Sequence, residues 1–328
     1  MENKTKSKLT LFINNTQTIK KEFKWHNIMT RRLAALLYAQ ENKPIDCEAI
    51  KRCHDLMKQN TGMFSSFRGN MSLCVATLLS LSPNPQGLFD NTLKVYAMLK
   101  DTKLRASDYL AVAAFQIAAQ SEPLKYQNTV NRARDFYDGM KSHNFFVTGQ
   151  DDYVFAAMLG LSDLDVAEGT ERIAEIISRL KGDFWSKNSV QTLAQVLALG
   201  GSHDETMSRV LSLRDALRLQ RIRLDKTYTL PALGILALLP VPIGTIVQDI
   251  AETEKILRAK KGFSAWSVTK QELLIYAAAA TAGEYAESLK DGVVTAAVST
   301  SITNIIIAQQ VAMIAAISAS SAAAASSS

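Results

Sequence analysis

Apolar residues recur at helical spacing along almost the whole chain, and the helical stretches end in a repeated way. An apolar residue followed by Lys or Arg closes a stretch at Met57-Lys58, Leu99-Lys100, Met140-Lys141, Leu180-Lys181, Leu217-Arg218 and Leu257-Arg258. The basic residues step by 42, 41, 40, 37 and 40 positions. A second mark runs beside the first. Apolar pairs at Leu36-Leu37, Leu78-Leu79, Ala114-Phe115, Met158-Leu159, Val196-Leu197 and Ile235-Leu236 step by 42, 36, 44, 38 and 39. Two independent marks with one drifting period predict an all-α protein of stacked helical hairpins, an α-solenoid-like array with repeats of about 40 residues.

Each repeat reads as helix A, a turn and helix B. The first covers about 26–40 and 46–59, with Pro44 in the turn and Asp46 as N-cap. The second covers about 68–81 and 86–100 around the breaker Ser82-Pro83-Asn84-Pro85. The third opens at Ser107-Asp108, runs to about 119 and continues over 124–141; the fourth opens at Asp151-Asp152 and continues over 165–181. The fifth opens at Asn188-Ser189, breaks at Gly200-Gly201 and restarts at the capping box Ser202-His203-Asp204-Glu205. The sixth covers about 226–239 and 243–260 around Pro240 and Pro242. Helix A is strongly apolar, as in 109–115 and 153–159, and helix B is amphipathic, as in Phe89, Leu93, Tyr96 and Leu99, so A is expected inside and B outside.

Both ends differ from the repeats. Residues 9–23 place Leu9, Phe12, Ile13, Ile19 and Phe23 on one face and predict an N-terminal capping helix within 1–25. Six hairpins then fill 26–261, and long C-terminal helices with an Ala/Ser tail fill 262–328, as one continuous domain. The capping box Thr269-Lys-Gln-Glu272 opens a helix expected to run to about 290, stopped by Gly292. Residues 292–328 carry no charge, and 293–317 are apolar and rich in small residues.

Composition adds bounds rather than a function. The chain has 328 residues, 47% of them hydrophobic and 21% charged, which supports a large core and excludes wholesale disorder. A net charge of +6 permits an acidic partner without requiring one. Cys47, Cys53 and Cys74 lack metal-type spacing and fit a reduced compartment. The polar residues 1–8 predict no secretory leader, so the expected location is cytoplasmic.

No nucleophile elbow, phosphate loop, dinucleotide fingerprint or His-x-x-x-His appears, so no catalytic residue, metal or cofactor is expected. The loop from Lys141 to Asp152 is the most site-like, because His143, Asp151 and Asp152 could together do acid/base work. Arg214, Arg218, Arg221, Arg223 and Lys226 form the densest basic cluster. They lack interleaved aromatics, so nucleic acid is not an expected partner.

The segments Phe67-Arg68-Gly69-Asn70, Ser107-Asp-Tyr-Leu110, Met140-Lys-Ser-His143 with Thr148 and Asp151-Asp152, and 305–316 are similar to a bacterial family known only as a domain of unknown function. The resemblance spans about 10–317 and implies cytosolic, all-helical relatives, mostly of Gram-positive bacteria. It transfers no activity, and it weighs against a membrane span in the Ala-rich tail.

The expected function is therefore non-catalytic binding of a protein or peptide along a concave groove of the A helices. Arg68, Asn70, Asp108, Asp152, Asn188 and Tyr228 lie at equivalent helix starts and, with His143 and Asp151, are the candidate binding residues. Two alternatives stay open. One is a hydrolase or transferase around His143, Asp151 and Asp152. The other is a membrane-surface protein anchored by 293–317.

Overall fold

The computed structural model describes residues 2–144, 147–200 and 204–289, and within them the chain is all-helical. Seven helices are amphipathic: α1 (Glu2–Glu22), α3 (Cys47–Gln59), α5 (Pro85–Asp101), α7 (Tyr126–His143), α9 (Val166–Leu180), α11 (Asp204–Leu219) and α13 (Ile243–Arg258). Seven alternate with them: α2 (Ile28–Gln40), α4 (Ser72–Ser80), α6 (Asp108–Gln120), α8 (Tyr153–Leu161), α10 (Lys187–Leu199), α12 (Leu230–Ala237) and α14 (Lys270–Leu289).

The two sets have different burial for a sequence reason. The amphipathic set hides one stripe at three- and four-residue spacing, as Cys47, Ile50, Cys53 and Met57 on α3 or Met207, Val210, Leu213 and Leu217 on α11. These helices lie outside. The other set is apolar all round. Every residue of α8 from Tyr153 to Gly160 and of α6 from Leu110 to Ala118 is buried. Such helices need cover on every side, so they lie inside, as helix A was expected to.

Helix ends carry the local signals that stop and start these elements. Asn27, Asp46, Asn84, Ser107, Asp165 and Ser186 each accept a backbone N–H from the first turn that follows them. The Thr269–Glu272 box is half formed. Thr269 Oγ1 accepts from the Glu272 amide at 3.1 Å, but the Glu272 carboxylate is turned to other partners. Helix A of the second repeat starts at Ser72 rather than about 68, because a 3-10 turn at Ser66–Arg68 precedes it. A second such turn at Gln150–Asp152 precedes α8.

The array closes on itself. α14 packs on α12 and α13 on one side and on α1 and α2 on the other. The N-terminal helix therefore does not cap an open end: it is the outer partner of α14, and the pair makes a seventh hairpin from opposite ends of the chain. Phe12 of α1 sits 5.4 Å, ring centre to ring centre, from both Phe263 and Tyr276. Arg32 of α2 is 1% exposed. Its guanidinium donates to Glu272 Oε1 at 2.7 Å and to the Gly262 and Ser267 carbonyls at 2.8 and 2.9 Å. Gln40 Nε2 donates to the Ala279 carbonyl at 3.0 Å, and Lys8 Nζ to the Gln40 carbonyl at 2.6 Å. A side chain at Gly283 would meet Gln40 Oε1 at 1.8 Å and would displace the Gln40 carboxamide from its bond to the Ala279 carbonyl.

Arginines from outer helices hold the ends of three inner helices. Arg132 on α7 donates to the carbonyls of Gly160, Ser162 and Leu164 after α8. Arg209 on α11 does the same for Ala237, Leu239 and Val241 after α12, and Arg172 on α9 reaches Ala198 of α10. Carbonyls that a helix end leaves without intrahelical partners are thereby satisfied.

The closure can be tested directly. Removing one partner of a buried ion pair leaves an uncompensated charge, so Arg32→Met is expected to lower unfolding free energy by about 3–5 kcal/mol. The double variant Arg32→Met/Glu272→Met should recover most of that loss, because the orphaned carboxylate is gone. Urea denaturation of the three proteins measures both.

Candidate functional site

The inner helices run parallel, so all seven begin on the same face of the ring. Bonds between successive helix starts mark this face. The Asn70 amide donates to Asp108 Oδ2 at 3.1 Å, and the Arg105 amide to the Tyr153 hydroxyl at 3.2 Å. Asn188 Nδ2 donates to Asp151 Oδ2 at 3.1 Å, and Ser189 Oγ to the Thr227 carbonyl at 2.6 Å. The outer helices end here too, so Lys58, Lys100, Lys141, Lys181, Arg218 and Arg258 all arrive at this face.

The two faces differ in charge. The linkers that lead from outer to inner helices hold ten basic residues, Lys24, Arg68, Lys103, Arg105, Lys181, Arg221, Arg223, Lys226, Lys260 and Lys261. Against these stand four acidic ones, Asp151, Asp152, Asp183 and Asp225. The linkers of the opposite face hold two basic residues, Lys43 and Lys125, and five acidic ones, Glu41, Asp46, Glu122, Asp163 and Asp165.

Exposed apolar side chains follow the same division. Nine large hydrophobic residues stand exposed among the described residues, and eight are at the basic face: Trp25, Ile28, Met63, Phe64, Trp185, Leu219, Tyr228 and Trp266. Only Leu124 is on the other side. All three tryptophans of the chain are here, Trp25 at 89%, Trp185 at 99% and Trp266 at 101% exposure. Each follows a buried phenylalanine in the same linker: Phe23, Phe184 and Phe263. The phenylalanine anchors the loop in the core and leaves the indole in water.

The expected binding residues all lie on this face, but most are held by structural bonds. Arg68 wraps the end of α3, donating from Nη2 to the Lys58 and Thr61 carbonyls and from Nε to Thr61 Oγ1 at 3.2 Å. Asp108 is half-buried, and burial raises its pKa while the Asn70 and Met71 amides oppose the rise. Tyr228 stands exposed beside the start of α12. The residues do not line a groove along the A helices, because those helices are covered on nearly every side.

His143, Asp151 and Asp152 do not form one constellation. His143 is exposed at the end of α7 and bonds to neither carboxylate. Asp151 pairs with Asn188. Asp152 is 2% exposed and fully engaged: Oδ1 accepts from Gln191 and Gln195 Nε2 at 3.0 and 2.6 Å, and Oδ2 from the Gly149 amide at 2.8 Å. It joins α8 to α10 through the core. Burial, and then the neighbouring Asp151 charge, push its pKa up to about 6.

The basic cluster near α11 is largely neutralised. Asp225 accepts from both Arg218 and Arg223, and Arg214 pairs with Asp183 and Asp215. These carboxylates hold Arg214 and Arg223 above the ordinary arginine pKa. The three cysteines are buried and unpaired, with Cys74 pushed up to about 12 by burial. Among the described residues no three His, Cys, Asp or Glu side chains could hold a metal together, and no helix is long and apolar enough to cross a membrane. The segment 293–317 lies outside the described residues.

The chain belongs to the family described as protein of unknown function DUF4003. That family model matches residues 15–311, which takes in all seven inner helices and the last part of α1. No curated protein and no solved structure matches the chain.

Family membership leaves the tryptophans as the residues that sequence reading missed. A signal was present. Trp25 and Trp185 are 160 positions apart and Trp185 and Trp266 are 81, about four and two repeat lengths, each just after a phenylalanine.

Asp152 makes a testable claim about pH. Its folded pKa is raised from 3.8 to about 6. The folded chain therefore holds this proton better than the unfolded chain does. The contribution to stability is present below about pH 4 and is lost as pH rises through 6. At neutral pH the ionised, buried group costs about 3 kcal/mol relative to low pH. Asp152→Asn is accordingly expected to gain about 2 kcal/mol on wild type between pH 4.5 and 7.5. Paired denaturation curves at the two pH values report this, and a pH-independent difference would count against it.

Proposed function

We propose that this protein is a non-catalytic binding protein whose working surface is the face where the inner helices begin, and that its partner is an acidic protein or peptide. The observation that carries this reading is the gathering of exposed large apolar side chains on that one face. Eight of nine stand there, including every tryptophan. Exposed indoles are costly in water and are the residue type that most often dominates binding energy at protein interfaces. The excess of cationic linkers on the same face supports an acidic partner, through steering and complementarity more than through affinity. The candidates Arg68, Asn70, Asp108, Asp151, Asn188 and Tyr228 lie within the same surface and would contribute its polar contacts.

A hydrolase or transferase reading finds less support, because the carboxylate it would use is buried with both oxygens already accepting hydrogen bonds. A cytoplasmic location is part of the same proposal, as three unpaired buried cysteines suit a reducing compartment.

The test places a photo-crosslinking amino acid at position 185, 266 or 124 of the full-length chain in its host cells. Adducts to one protein species are expected at 185 and 266 and not at 124. Trp185→Ala/Trp266→Ala should fold normally, since both side chains are fully exposed, and should lose that species. Equal crosslinking at 124, or none at the tryptophan positions, overturns the reading. So does a blue shift of tryptophan emission on anionic vesicles that the double variant abolishes, which would identify a lipid surface instead.

A further inference from the structure

One cavity on the basic face brings an exposed indole together with paired ions. It holds about 540 Å³ between the α9–α10 linker and the α11–α12 linker, and Trp185 stands in its wall with Asp183, Phe184, Arg218, Arg223 and Asp225. Two other hollows on this face, one between α5, α7 and α8 and one over Arg221, contain neither a tryptophan nor a carboxylate. Trp25 and Trp266 line none of the three. We infer that the cavity beside Trp185 binds a neutral carbohydrate, with one sugar ring laid against the indole and its hydroxyl groups on Asp183, Arg223 and Thr227.

The ions of this cavity are balanced against each other. Asp225 accepts from Arg218 Nε and from Arg223 Nε, both at 2.9 Å, and its side chain is 3% exposed. It serves to hold the two guanidiniums in place. Arg223 Nη1 keeps its hydrogens for other acceptors, because the pair uses Nε and Nη2. Asp183 Oδ1 accepts from Arg214 at 3.1 Å, which leaves Oδ2 as an acceptor, and its side chain is one-third exposed. Thr227 adds an exposed hydroxyl.

The ligand class follows from this mixture. A free anion meets two carboxylates in the lining and a cation meets three basic side chains, Arg218, Arg223 and Lys226, so neither fits well. A wholly apolar ligand would strip water from these groups and replace none of their hydrogen bonds. A hydroxyl both donates and accepts, so a polyol answers donors and acceptors alike. The indole answers the rest of a sugar. One side of a sugar ring is a patch of C–H bonds with partial positive charge, and the face of an aromatic ring is negative.

The site is also built in advance. Ser189 Oγ donates to the Thr227 carbonyl at 2.6 Å and ties the two linkers together. The Arg214 guanidinium lies 5.5 Å over the buried Phe184 ring while it pairs with Asp183. The residues on the N-terminal side of the indole are therefore fixed, so little freedom is lost when a ligand seats. The volume falls within the range of about 300–1,000 Å³ common to small-molecule sites. Trp185 is shared with the protein-binding surface proposed above, but the carbohydrate site does not rest on that reading.

The experiment applies the full-length chain to an array of neutral, sialylated and sulfated glycans and measures the best-bound glycan by calorimetry. Neutral glycans are expected to bind. Trp185→Ala removes a fully exposed side chain and leaves the fold intact; it should weaken that glycan about tenfold or more. Thr227→Val should weaken it about fivefold. Affinity should change less than about twofold between roughly 0.05 and 0.5 M salt, because screening does not act on a neutral ligand. Trp266→Ala separates the two readings: it should weaken the protein partner and leave the glycan unchanged. No glycan bound, capture confined to sialylated or sulfated glycans, or equal losses in Trp185→Ala and Trp266→Ala would overturn the assignment.

Discussion

An inner helix that is apolar on every side cannot end an array. Each of α2, α4, α6, α8, α10, α12 and α14 needs an inner neighbour on both flanks and an outer helix behind it. An open stack meets this need everywhere except at its two ends, where a polar capping unit is required. Here the ends meet instead. α1 precedes the first inner helix and α14 is the last described one, and the two pack together, so the described helices close into a ring. The Arg32–Glu272 pair and the Phe12 cluster form the seam.

Parallel inner helices have a second consequence. They put all the outer-helix C-termini on one face and all the outer-helix N-termini on the other. Cations near a helix C-terminus and anions near an N-terminus each contribute about 0.3–1 kcal/mol. Lys58, Lys100, Lys141, Lys181, Arg218 and Arg258 on one side, and Asp46, Asp165, Asp204 and Glu205 on the other, follow this rule. Much of the charge difference between faces is therefore a by-product of helix stability. The exposed tryptophans have no such origin, because a solvent-facing indole stabilises neither a cap nor a helix end. Their gathering on this one face is the feature of the surface that helix-end charge does not explain.

The hairpin period was legible because it is local. The basic residues that step by about 40 positions do all close outer helices, and Asp46, Ser107 and Asp165 cap helices where turn chemistry requires. Closure was not legible. Arg32 and Glu272 are 240 positions apart, and nothing in either neighbourhood names the other. The stripe of Leu9, Phe12, Ile19 and Phe23 marks α1 as an outer helix but not whose. The Asp151-Asp152 pair shows the same limit at the scale of a site. Sequence places two carboxylates at a helix start, yet only the packing of Gln191 and Gln195 from α10 decides that one is buried and the other paired at the surface. Arg132, Arg172 and Arg209, spaced by 40 and 37, form a third periodic mark that a search for repeated cations would have found.

Closure also bears on how such a surface would bind. An open solenoid flexes along its length, and a partner must hold it in one curvature. A ring fixed at its seam presents Trp25, Phe64, Trp185 and Trp266 from four different hairpins at set positions, so little conformational entropy is lost on contact. A buried indole at an interface is typically worth about 2–4 kcal/mol, and two or three engaged together suffice for a stable complex after the cost of association is subtracted. On the proposed reading, a partner that engages these aromatics together spans several hairpins, whether it is a folded surface or an extended peptide.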